Sequence, residues 1–150
     1  MFVYEVPADA TEDLTKKIAD LISQQRTRSE DDGSYQKVLN GISLAIQKDS
    51  NSGVIIAEEA GEVFGVAFYN IGISLPLGGP YLWLNELFVR ENARNKGIAR
   101  KILLHLIHWA EHEGIKSIEL ETGINNSVTK HLYNSLDFHD IVSQRYRFNF

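Results

Sequence analysis

At 150 residues, with 43% hydrophobic and 23% charged side chains, the chain has the composition of one globular domain, which excludes a disordered polypeptide. It has no cysteine, so a disulfide framework, a thiolate metal site and catalysis through a cysteinyl intermediate are excluded. The net charge of −5 argues against a nucleic-acid binder, whose footprint is a broad basic face.

Met1-Phe2-Val3-Tyr4-Glu5-Val6-Pro7 has no basic flank and reads as a chain start without a signal peptide. Residues 2–6 form a short apolar strand. Pro7 with Asp9 or Thr11 then starts a helix whose apolar stripe is Leu14, Ile18, Leu21 and Ile22. A polar connection leads to a second helix, striped by Tyr35, Val38, Leu39, Ile42 and Ile46 and ended by the polar cluster 49–53. Val54–Glu58 and Val63–Ile73 read as strands joined by a hairpin turn at Glu59-Ala60-Gly61-Glu62. The charge-free stretch Val63–Asn85 is long enough to span a bilayer. Gly65, Gly72, Pro76, Gly78, Gly79 and Pro80 interrupt it, and it reads instead as two buried strands and a turn. A soluble, cytoplasmic protein with no membrane partner is expected.

Tyr81–Val89 is almost wholly apolar and is expected in mid-sheet with both faces covered. A helix follows from about Gly97 to Glu113 with the core arc Ala99, Ile102, Leu103, Leu106, Ile107 and Ala110, and Ile115–Thr122 returns as a strand. Strand, helix and strand make a βαβ unit, so these two strands should be parallel. Asn126 starts a further helix to about Leu136, and Phe138–Val142 and Arg145–Phe150 are expected as closing strands, the last of them able to pair across a homodimer. The whole, 1–150, is one α/β domain.

The informative stretch is Arg94-Asn95-Lys96-Gly97-Ile98-Ala99-Arg100-Lys101. It puts four cationic side chains at a helix start, where the dipole disfavours each by about 0.3–1 kcal/mol. An anion bound to the exposed N–H groups reverses that preference. Gly97 lets a phosphate approach the backbone without a Cβ in the way. Charge is uneven in the same sense: residues 1–89 carry net −7 and residues 90–101 net +4. Neither a G-x-G-x-x-G fingerprint nor a Walker loop is present.

Arg94-x-x-Gly97-x-Ala99, the strand Leu84-Asn85-Glu86-Leu87-Phe88-Val89 before it and Asn126-x-x-Thr129-x-x-Leu132-Tyr133-x-x-x-Asp137-Phe138 after it occur in that order. Together they resemble the signatures of the GNAT superfamily of acyl-CoA-dependent N-acetyltransferases. Thr129 stands where Ala is usual there and Asp137 where Gly is usual. The resemblance implies a single-domain fold with a mixed, mostly antiparallel sheet of about seven strands, helices on both faces and a splayed parallel pair binding CoA. It implies acetyl-CoA as cosubstrate and no metal. The N–H groups of Asn95, Lys96, Gly97, Ile98, Ala99 and Arg100 would hold its pyrophosphate, with Arg94 and Arg100 adding charge. Leu87, Phe88 and Val89 would pair with the pantetheine arm as an added strand. Asn126 would contact the arm or the adenosine side, or serve as an ordinary N-cap.

On the same resemblance Glu86, the one carboxylate in its strand, is the base that takes the amine's proton directly or through water, and Tyr133 protonates the departing sulfur. The expected reaction is direct transfer of an acetyl group to a primary amine of a small molecule, drawn by the acidic first half of the chain. The alternatives are an acyl-CoA-binding sensor in which Glu86 and Tyr133 do no chemistry, and an acetyltransferase acting on a protein amine. His105, His108 and His112 share a helix flank, with no further ligand on the same arc to suggest a metal.

Overall fold

The computed structural model of the chain describes residues 1–24, 33–122 and 127–150. Strand β1 (Phe2–Glu5) leads into helix α1 (Glu12–Gln24), which begins where the Thr11 hydroxyl accepts a hydrogen bond from Leu14 N at 3.2 Å. Helix α2 (Ser34–Ala45) precedes the hairpin of β2 (Ser52–Glu59) and β3 (Glu62–Ser74). Ala60 and Gly61 turn that hairpin at φ 51° and 77°, the pair of positive values that matches strand twist in a two-residue loop. Next come β4 (Gly79–Val89), a short 3-10 turn (Glu91–Ala93), α3 (Ile98–His112), β5 (Ile118–Leu120) and α4 (Ser127–Ser135).

The described strands form one sheet in the order β1-β2-β3-β4-β5, antiparallel throughout except for the parallel pair β4–β5. Alternation along the strands sends neighbouring residues to opposite faces. Ile55, Ala57, Ala67, Leu82 and Leu84 pack against Ile98, Ile102, Leu103 and Leu106 of α3 and Tyr133 of α4. Val54, Ile56 and Val66 face Ile18, Leu21 and Ile22 of α1 and Ile42 of α2. Helices therefore cover both faces, as expected from their apolar stripes.

Two expectations are corrected. The sheet has five described strands where about seven were expected, because 138–142 and 145–150 carry no strand. A strand exists through its ladder partner, and β5, three residues long, offers little edge to a sixth. Ile141, Val142, Tyr146, Phe148 and Phe150 are exposed accordingly. Strand β4 is not covered along its whole length either: Leu82 and Leu84 are buried, but from Asn85 onward no residue of the strand is, since β5 pairs only with Leu82–Leu84.

One close approach is critical to the first face. A Cβ on Gly53 would stand 2.2 Å from Tyr69 Oη, directly across the ladder. That ring has no room to yield: it is 2% exposed, donates to Glu5 Oε1 at 2.9 Å and packs on Trp109 with centroids 5.4 Å apart. Gly53→Ala should therefore destabilise the protein by about 1–3 kcal/mol, an overpacking cost. Denaturant unfolding measures this, and an unchanged midpoint would mean that the ring slides aside without penalty.

Candidate active site

The site is built by a divergence. Strands β4 and β5 are paired over Leu82↔Ile118, Trp83↔Glu119 and Leu84↔Leu120 and then part. At that point β4 carries an extra residue: Phe68 of β3 lies opposite Glu86 and Tyr69 opposite Leu84, so Asn85 is a bulge. Between the parted strands is a slot of about 210 Å³ lined by Leu84–Phe88 on one side, Leu120, Glu121 and Thr122 on the other, and Thr129 and Tyr133 of α4.

The backbone of β4 faces the slot at alternate residues. Arg90 N donates to Phe64 O at 2.8 Å, so Arg90 and, two residues back, Phe88 turn their backbone groups to β3. Leu87 and Val89 turn theirs away from β3, and Val89 O accepts from Arg94 Nε at 3.2 Å. Of the three residues expected to pair with an arm in the slot, Leu87 lines it and turns its backbone away from β3, and Val89 does the same beyond the slot's lining, with its carbonyl taken by Arg94. Phe88 lines it too, while its ring packs into the α1–α2 cluster.

The chain then reaches the start of α3. Gly97 is the N-cap at φ 76°, Asn95 has φ 64°, and no side chain caps the helix. The first helical bond runs from Lys101 N to Gly97 O at 3.0 Å, which leaves the N–H groups of Ile98, Ala99 and Arg100 ahead of the ladder. Nothing lies within 4 Å of where a Gly97 Cβ would be, so the backbone there is open to an approaching group. Arg94, Asn95, Lys96 and Arg100 are exposed around it, whereas the Ile98 side chain is buried and anchors the turn to the core. Arg100 Nη1 donates to Ser135 Oγ at 3.0 Å, and Ser135 Oγ donates to Leu132 O at 2.6 Å, which links the helix start to α4. Arg90, also in this basic stretch, instead has a structural role: it donates to Val63 O at 2.7 Å and lies 4.8 Å above the Phe64 ring.

This geometry suits a diphosphate at the uncapped, cation-rimmed helix start and a chain of amides along Leu87–Val89. The lining of the slot includes both Glu86 and Tyr133, residues distant in sequence. Tyr133 is 8% exposed and meets Phe138 edge-on at 5.6 Å; burial raises its phenol pKa, so the hydroxyl keeps its proton. Asn126 lies outside the described residues. Sequence reasoning missed Glu121, Thr122 and Thr129 as slot residues. Glu121 and Thr122 were legible only as the end of a strand, though residues just past a parallel strand's carboxyl end are the ones that line a crevice. Glu121 is joined to Arg145 of the closing segment by an exposed ion pair. Among the described residues no His, Cys, Asp and Glu group forms a metal site, and no helix is long and apolar enough to cross a membrane.

The chain matches the description "Acetyltransferase (GNAT) family" over residues 15–138. It is 33% identical over 87 residues to the "Uncharacterized N-acetyltransferase YhfO" of Bacillus subtilis (strain 168), a match covering 57% of this chain and 58% of that protein's length. Among solved structures, an integron cassette protein from the mobile metagenome of V. cholerae superposes with TM-score 0.78 at 26% identity, over 99% of this chain and 91% of that one. The aminoglycoside antibiotic 6'-N-acetyltransferase AAC(6')-IG of Acinetobacter haemolyticus shares the fold with TM-score 0.73 at 16% identity, over 99% and 98%.

Proposed function

This chain belongs to the GNAT acetyltransferase family, and on that premise we propose that it moves an acetyl group from acetyl-CoA to a primary amine of a small molecule in one direct step. The observation carrying this reading is the slot between the parted strands, whose lining includes Leu87, Glu86 and the buried Tyr133, on a strand that leads to the uncapped start of α3.

In the proposed step the acceptor nitrogen attacks the acetyl carbonyl carbon, the C–N bond forms and the C–S bond breaks. Leu87 N–H, facing the slot, is the donor suited to the carbonyl oxygen as negative charge gathers there. The amine must first lose a proton. An alkyl ammonium with pKa near 10.4 is neutral only about once in 2,500 at pH 7, a penalty of roughly 4–5 kcal/mol. Glu86 takes that proton, directly or through water. The departing thiolate receives a hydrogen bond from the Tyr133 hydroxyl and takes up through it the second proton that the nitrogen sheds on becoming an amide, so the phenol ends protonated as it began. Arg94, Lys96 and Arg100, with the N–H groups of Gly97, Ile98 and Ala99, hold the diphosphate of the donor.

A cationic acceptor suits the acidic first half of the chain, net −7 over residues 1–89. A protein amine is the competing acceptor. The absence of cysteine suits the cytoplasm as the place of action. The test is a panel of primary amines and amine-terminated peptides with acetyl-CoA, read by released thiol, beside thermal shifts with acetyl-CoA, ATP and NAD. Thiol release with small amines and a melting shift with acetyl-CoA alone are expected. A shift without turnover on any amine would make the protein an acyl-CoA sensor, and no shift with acetyl-CoA would remove the cosubstrate assignment.

A further inference from the structure

The alternation of β4 is broken once, and the break decides on which side of the sheet Glu86 lies. Leu82 and Leu84 face the α3 cluster, and so do Leu87 and Val89, while Phe88 faces the α1–α2 cluster with Phe68. Even-numbered residues before the break and odd-numbered ones after it share a face because Asn85 is inserted, with Phe68 opposite Glu86 and Tyr69 opposite Leu84. In an unbroken ladder the shift of one residue would carry every later side chain to the other face, and Glu86 would join Leu82 and Leu84 beneath α3.

An inserted residue has no partner across the ladder and must be held by something else. Here a row of polar side chains crosses the strands. Ser52 of β2 and Asn70 of β3 stand directly opposite each other, and Ser52 Oγ donates to Asn70 Oδ1. The Asn70 and Asn85 amides meet at 2.6 Å. In the orientation that suits Trp83, Asn85 donates to the Trp83 carbonyl oxygen and accepts from the Trp83 indole Nε1, each at 3.2 Å, and turning the Asn70 amide with it keeps the row joined. Asparagine is depleted in strands, yet two of them meet here in the interior of the sheet, at the one place where β4 changes parity.

We infer that Asn70 is a positioning residue: by holding the amide of the inserted Asn85 it fixes the bulge, and the bulge keeps Glu86 and the Leu87 N–H at the slot. The catalytic consequence rests on the proposed acetyl transfer; the structural consequence, the register of β4, does not. Asn70→Leu removes the amide at similar size. With a reactive amine it should lower kcat about tenfold or more even at saturating acetyl-CoA, where a defect of binding alone would vanish, and raise KM for acetyl-CoA as well, since the same slip turns the Leu87 and Val89 peptide groups toward β3. Ser52→Ala, which loosens only the outer link, should show a smaller loss in the same direction. A crystal structure of Asn70→Leu should show Glu86 no longer opposite Phe68. Wild-type kcat in Asn70→Leu, or a bulge that survives there unchanged, overturns the inference. If the wild type acetylates no amine, the transfer reading alone falls and the register in the crystal still decides. Asn85→Ala, at an exposed position, gives the same readouts if Asn70→Leu does not fold.

Discussion

Glu86→Gln should lower kcat/KM for a primary amine by about 10²–10³-fold at pH 7, the range expected when a general base is removed. Glutamine keeps the length and shape of the side chain, so the bulge, the slot and the affinity for acetyl-CoA should be unchanged. The deficit should also depend on pH in a definite sense. As pH rises toward the amine's own pKa, near 10.4, solvent supplies the neutral nucleophile and the variant approaches the wild type. Rates for both enzymes from pH 7 to 10, with acetyl-CoA affinity measured alongside, check this. A pH-independent deficit, or one accompanied by weakened acetyl-CoA binding, would make Glu86 a structural carboxylate.

Tyr133→Phe should cost about 10²-fold in kcat with little change in stability, because the ring stays buried against Phe138 and only the hydroxyl is lost. Burial lifts the phenol pKa above its ordinary 10.0. The sign follows: the protonated form persists beyond pH 10, so the ratio of wild-type to variant kcat should stay flat from pH 7 to 10. A thiol has pKa near 8.5, so the phenol is the weaker acid. On the proposed reading its contribution is therefore a hydrogen bond to the sulfur as charge develops, and the proton that settles on the sulfur is the one the nitrogen sheds. Product release measured by thiol detection at saturating substrates reads the effect. An unchanged kcat would return Tyr133 to core packing.

Much of this architecture was legible in the order of residues. The stripes of α1, α2 and α3 announced their buried faces, Ala60-Gly61 its turn, and the short links around α3 the parallel pairing of β4 with β5. The cations at the start of α3 were conspicuous because they oppose the dipole of an ordinary helix. Pairings that depend on distant partners were less legible. Residues 138–150 alternate like strands, yet sequence alternation cannot state whether an edge is available to receive them. A bulge in β4 was implied by the family resemblance, but its place at Asn85 was not, because both faces of β4 are apolar and the change of parity leaves no trace in the hydrophobic pattern; only the pairing with β3 locates it. Glu86 and Tyr133 could be nominated singly from the motifs they sit in, but their meeting across one slot follows from the splay of two strands.

That splay has a chemical corollary. Where β4 runs on without β5, Leu87 and Val89 offer peptide groups to whatever fills the gap, and a guest is judged by how well it imitates polypeptide. A carrier with amides at peptide-like intervals completes the sheet. A compact acetyl ester or simple alkyl thioester, equally activated at its carbonyl, brings nothing to answer those groups. On the proposed acetyl transfer, discrimination among acyl donors would then lie in the handle rather than in the activated carbonyl.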